Sequence, residues 1–148
     1  MKKSFQDIVC PSSEKNKEKV SKALANGNSA MFYQILCNEA AAGRFTDYSK
    51  YQVAVTDYFL CNYSNFSSIG FSYINIIPLR SIVNLYRTNI VNGKYDYDFF
   101  HLALEMADGS KQYIGIYTRK AKDSMTAFSD IINQIITNKR LQNNNGRV

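Results

Sequence analysis

The chain has 148 residues, 45% of them hydrophobic and 20% charged, values of one globular domain with no room for a second. Its 11 tyrosines and 9 phenylalanines against no tryptophan suit strands and exclude a largely disordered chain. The formal charge of +6 is an end effect: residues 1–50 carry eight Lys or Arg against five acids and residues 111–148 seven against two, while residues 51–110 carry three against five, which excludes a basic groove built from the middle.

At the start, Gln6 and Asp7 interrupt any apolar run after Lys2 and Lys3, so no signal peptide is expected. No stretch is long and apolar enough for a transmembrane helix, and the chain is expected to be soluble and cytoplasmic, with peripheral contact to the membrane as the alternative. Cys10, Cys37 and Cys61 form no C-x-x-C pair and are expected to be three reduced thiols, with no metal or other cofactor. Residues 13–26 read as a helix, with Ser12 or Ser13 to cap it and Gly27 to stop it. Residues 29–42 read as a second helix, although Met31–Leu36 also fits a strand.

From Tyr48 to Thr118 the pattern becomes period two, with strands expected at about 48–55, 58–64, 70–77, 80–91, 94–106 and 111–118. Asn92-Gly93 is a hairpin turn in which both residues take positive φ; pairing Val91 with Lys94 sets Leu85 against Phe100, Val83 against Leu102 and Arg87 against Asp98. At Ala107-Asp108-Gly109 a two-residue loop would set Leu102 against Gly115, whereas a three-residue loop sets it against Ile114 and Phe100 against Ile116. With the three-residue loop, Val83, Leu85, Phe100, Leu102, Ile114 and Ile116 form one apolar face. The last element, Ala121 to Arg140, carries Ala121, Met125, Phe128, Ile132 and Ile135 as one helical stripe that the sheet must cover. The fold class is α+β, mainly β: a bent antiparallel sheet or open barrel of about six to seven strands, closed by a C-terminal amphipathic helix. The expected division is 1–42 as a helical extension, 43–140 as the domain and 141–148 as a flexible tail.

Tyr51-Gln52-Val53-Ala54-Val55-Thr56-Asp57-Tyr58-Phe59-Leu60, then Ile77-Pro78-Leu79-Arg80-Ser81-Ile82, the Asp108-Gly109 hairpin and the closing helix together resemble the bacterial pleckstrin-homology-like (PH/GRAM-like) domains over roughly 45–138. The resemblance implies a barrel plugged by the helix and a role in binding or assembly rather than catalysis, often as a homo-oligomer. Lipid-binding relatives carry a basic motif at the first hairpin, where this chain has Val55-Thr56-Asp57-Tyr58.

Chemistry-bearing residues are sparse. His101, the one histidine, falls between Asn84 and Gly115 in the hairpin register with no carboxylate opposite, and Asp96 and Asp98 share a face where Arg87 neutralises Asp98; no catalytic residue or metal ligand is expected. No phosphate-cradling or nucleophile-elbow motif occurs. The face opposite the apolar one carries Tyr86, Tyr97, Phe99 and Tyr117, a partner interface that either the segment 13–42 or a second copy of the chain would cover. Arg119, Lys120 and Lys122 form the tightest basic cluster, the candidate ligand site for an anionic lipid headgroup or an acidic protein patch. Nucleic acid is disfavoured because the aromatic face lacks a basic groove beside it.

Overall fold

The computed structural model describes residues 5–24, 29–48, 51–66, 71–97, 99–116 and 121–145. It is an α+β protein that divides into two compact units, Met1–Pro78 and Leu79–Val148. In the first unit the N-terminal helices share a buried core with the strands.

In the first unit three helices precede an antiparallel sheet. Helix α1 spans Phe5–Val9, α2 Glu14–Ala23 and α3 Ser29–Ala41. Both longer segments fold as their spacing predicts, and Ser13 Oγ caps α2 by accepting from Asn16 N at 3.3 Å. The four strands run in the order β1 (Phe45–Tyr48), β2 (Val53–Thr56), β3 (Phe59–Phe66) and β4 (Phe71–Pro78).

The expected strand at 48–55 is instead the hairpin between β1 and β2, which pairs Tyr48 with Val53. No Gly, Pro or Asn marks that turn; Gln52 takes φ 58 without the usual chemistry for it. Tyr63 N at 3.0 Å and Asn62 Nδ2 at 3.2 Å both donate to the Gln52 carbonyl, so β3 supplies what local sequence does not.

One face of this sheet, through Ala54, Phe59, Cys61, Tyr63, Ile74 and Ile76, packs with Phe5, Val9, Val20, Leu24 and Leu36 from the helices. The alternate residues Val53, Val55, Leu60 and Ile77 are buried too, which is why these strands read as apolar runs.

Two carboxylates set the joints. Glu39 on α3 is buried, accepting from Thr56 Oγ1 at 2.9 Å and from Tyr58 N at 3.0 Å, and so holds the Thr56-Asp57-Tyr58 turn. Loss of hydration raises its pKa from the ordinary 4.5, against the opposing pull of those two hydrogen bonds. A carboxyl with a raised native pKa binds its proton more tightly when folded, so its contribution is most favourable below 4.5 and is lost as pH rises through the native value. The stability of the wild type minus that of Glu39→Gln should therefore fall as pH climbs through that window, and urea titrations between acid and neutral pH will show a flat difference if the proton is not held.

Asp47 on β1 accepts from Phe5 N at 2.9 Å and from the Tyr63 hydroxyl at 3.1 Å. Burial, and then the Asp47 charge, pushes the Tyr63 hydroxyl far above the usual phenol range, so it stays a donor.

The expectation of three free thiols fails. Cys10 and Cys37 are joined in a disulfide with Cα atoms 5.8 Å apart, and only Cys61 is free and buried. The two partners lie 27 residues apart, a separation that carries no signal until the helices are packed.

The second unit opens with a 3₁₀ turn, Leu79–Ser81, so β5 spans Ile82–Thr88 and not 80–91. Strands β8 (Phe100–Met106) and β9 (Lys111–Ile116) complete a three-stranded sheet in the order β5-β8-β9; β6 (Ile90–Val91) and β7 (Lys94–Tyr95) form a separate hairpin. The hydrogen-bonded sets are of four, three and two strands, and the sheet does not close into a barrel.

The β8–β9 turn has the expected register, Leu102 against Ile114 and Phe100 against Ile116, with Gly109 at φ +89. The Asn92-Gly93 turn also forms as expected, with φ 53 and 81 and Val91 against Lys94. Its register does not propagate. Asp96, Tyr97 and Phe99 belong to no strand, so Leu85 faces Leu104 instead of Phe100 and Arg87 faces Leu102 instead of Asp98; the Arg87 guanidinium stands 4.3 Å above the Phe100 ring. A bulge between Ile82 and Asn84 then turns Val83 outward, 62% exposed, and Ile82 inward.

Helix α4 runs Ala121–Asn145, through most of the expected tail. It contacts the 3₁₀ turn and β5 and buries Ala127, Phe128, Ile131, Ile135 and Asn138, while Met125 is exposed and Ile132 half-buried. The core-facing stripe is thus turned about the axis from the one expected. Lys139 Nζ donates to the Ile82 carbonyl. No described helix is long and apolar enough to cross a membrane.

Candidate docking site at the second hairpin

The surface worth building up begins with the looped segment after β7. Asp96 fixes it from three directions: its amide donates to the Asn89 carbonyl at 2.7 Å, its Oδ1 accepts from Phe99 N at 3.1 Å, and its Oδ2 lies 2.8 Å from His101 Nε2. An aspartate closing a turn on an amide three residues ahead is favoured local chemistry. The contact with His101, five residues on, ties Asp96 to β8.

His101 has Thr88 and Gly115 as cross-strand neighbours, not Asn84 and Gly115; no carboxylate stands opposite it, and its acidic partner Asp96 comes from five residues earlier in the chain. The ring lies over Gly115: a Cβ there would stand 3.4 Å from His101 Cε1 and Nδ1. Replacing Asp96 with Ala should leave β8–β9 intact but speed amide exchange at Phe99 roughly 10-fold, the loss of about one hydrogen bond to a charged group; an unchanged Phe99 rate would show that Asp96 does not hold the loop.

With its backbone fixed, the segment presents apolar side chains outward. Tyr97 is 91% exposed and Tyr95 62%, their rings stacked at 6.0 Å and 20°, and Phe99 and Ile90 are exposed beside them. Of the residues expected to form an interface, Tyr97 and Phe99 are therefore both exposed, after the second hairpin and in no strand of the sheet. Tyr86 is apart from them. It pairs with Ala103 on β8, with Lys111 of β9 close enough for Tyr86 to raise the lysine pKa. Tyr117 lies outside the described residues, as do Arg119, Lys120, Asp98 and the side chain of Lys122.

Tyr95 and Ile90 were missing from the expected interface. The signal was available in the Asn92-Gly93 turn, because residues next to a two-residue turn at the end of a short hairpin have few neighbours to bury them.

No family model, curated protein or solved structure matches this chain. What the site can do must be read from its own chemistry. Among the described residues no group of three or more His, Cys, Asp or Glu is placed to share a metal ion. His101 and Asp96 are joined to each other and to the loop backbone, an arrangement suited to holding a surface in shape.

Proposed function

We propose that the chain is a non-enzymatic, pleckstrin-homology-like binding or scaffolding module that recognises a protein surface, a second copy of itself included, through Tyr95, Tyr97, Phe99 and Ile90. One observation carries this reading: two large aromatic rings stand exposed and stacked on a segment whose backbone is held by Asp96. Exposed rings fixed in advance lose little freedom on binding and supply the anchors that dominate interfaces. The antiparallel sheets of four and three strands followed by one long helix support this reading, while the closed barrel that the resemblance implies is not formed. A cytoplasmic location belongs to the same proposal.

Light scattering of the wild type over a range of concentrations is expected to give a mass above the 16.9 kDa of one chain, and the Tyr95→Ser/Tyr97→Ser double variant is expected to return to it. A strict monomer whose protein partners from native cytosol are the same with and without the two tyrosines would sink the reading. Vesicle pelleting separates the lipid adaptor suggested by Arg119, Lys120 and Lys122: binding confined to anionic vesicles, weakened by salt and indifferent to the tyrosines, would move the function to that cluster.

A further inference from the structure

Three anchors hold α1, a helix of five residues that is too short to persist unaided. At its start Phe5 N donates to Asp47 Oδ2 at 2.9 Å, and at its end the Val9 carbonyl accepts from the Tyr33 hydroxyl at 2.6 Å. The next residue, Cys10, is bridged to Cys37 on α3.

What α1 covers is specific. Phe5 and Val9 are fully buried, and the Phe5 ring lies 5.3 Å from that of Phe45 and 5.7 Å from that of Tyr63. Tyr63 and Cys61 stand two apart on β3 and so point to one face, within the same buried cluster as Phe5 and Val9. The electrostatics agree on the placement. Burial pushes the Cys61 thiol far up and the Asp47 carboxylate adds to it, while burial first, and Cys61 second, raises the Tyr33 hydroxyl.

Of the three anchors the bridge alone is covalent, and both its cysteines are only half-buried. We infer that Cys10–Cys37 is a redox-operated strap whose reduction releases α1 from the first sheet and uncovers Cys61 and Tyr63. The step balances with a dithiol as reductant: two electrons and two protons pass to the Cys10 and Cys37 sulfurs, their S–S bond breaks, and the dithiol closes to its own disulfide. Ordering five residues costs chain freedom comparable to what burying Phe5 and Val9 returns, so the cross-link decides the balance.

The test uses the full chain and the buried thiol as reporter. Iodoacetamide is added with and without prior dithiothreitol, and carboxamidomethylation of Cys61 is followed by peptide mass. Cys61 is expected to react roughly 30-fold faster or more after reduction, the factor that loss of a cross-link implies. Amide exchange should accelerate over residues 5–10 while β3 and β4 keep their protection. The Cys10→Ser/Cys37→Ser variant should show both changes without reductant. Equal protection of Cys61 in the two redox states, or in that variant, overturns the strap; so does loss of protection across β3 and β4 together with α1, which would make the bridge a staple of the whole unit.

Discussion

Ile82→Ala is expected to cost about 3 kcal/mol and Val83→Ala no more than about 0.5 kcal/mol in urea unfolding. Period-two alternation from the Asn92-Gly93 turn assigns these neighbours the other way round, with Val83 in the core. The bulge between Ile82 and Asn84 inverts them: Ile82 has no exposed surface and Val83 points to solvent. Truncating Ile82 removes three carbons from a packed site and leaves a cavity against the 3₁₀ turn and α4, whose Lys139 also reaches the Ile82 carbonyl. Truncating Val83 removes two methyls that already stand in water. Equal midpoints for the two variants, or a larger loss at Val83, would mean that β5 runs without the bulge and that the register of the second unit is wrong.

The second large effect is expected at Asp47. Asp47→Ala should lose about 3 kcal/mol, because two hydrogen bonds to a charged acceptor vanish and a buried tyrosine hydroxyl is left without its partner. Tyr63 is almost wholly buried, so water cannot readily replace the carboxylate. Removing the orphaned hydroxyl as well should help: Asp47→Ala/Tyr63→Phe is expected to recover about 1 kcal/mol of the loss. A double variant no more stable than Asp47→Ala would show that the hydroxyl finds another acceptor and that the latch is weaker than its geometry. Both variants also report on the start of α1, since Phe5 N loses its acceptor in each.

The same two residues show how much of the molecule could be read in advance. Asp47 sits in a stretch, Phe45-Thr46-Asp47-Tyr48, whose short length and mixed polarity give no strand signal strong enough to notice. Its partners are 42 and 16 residues away. Neither helical nor strand periodicity can reveal such a contact, because periodicity reports which side of an element is buried and not what lies across from it. Glu39 is similar: it falls late in a correctly read helix, yet its burial follows only from the β2–β3 turn that it holds. The aromatic site was half legible. Tyr97 and Phe99 stood out as residues that needed a partner, but placing them on the sheet face assumed that the hairpin register continued into β8.

What the sequence alone settled is whatever a few neighbouring residues decide among themselves. Positive φ at Asn92, Gly93 and Gly109 fixes two turns and the pairs beside them, and capping with apolar spacing fixes α2 and α3. The tertiary structure decided that Asp96, Tyr97 and Phe99 stand outside the strands, the bulge at Ile82, the face that α4 turns to its sheet, the division of the strands into separate sheets, and the Cys10–Cys37 bridge. Each of these depends on which distant side chains share a core. A turn is chosen by backbone sterics within four residues, whereas a register far from its turn is chosen by burial, and burial is a property of the assembled whole.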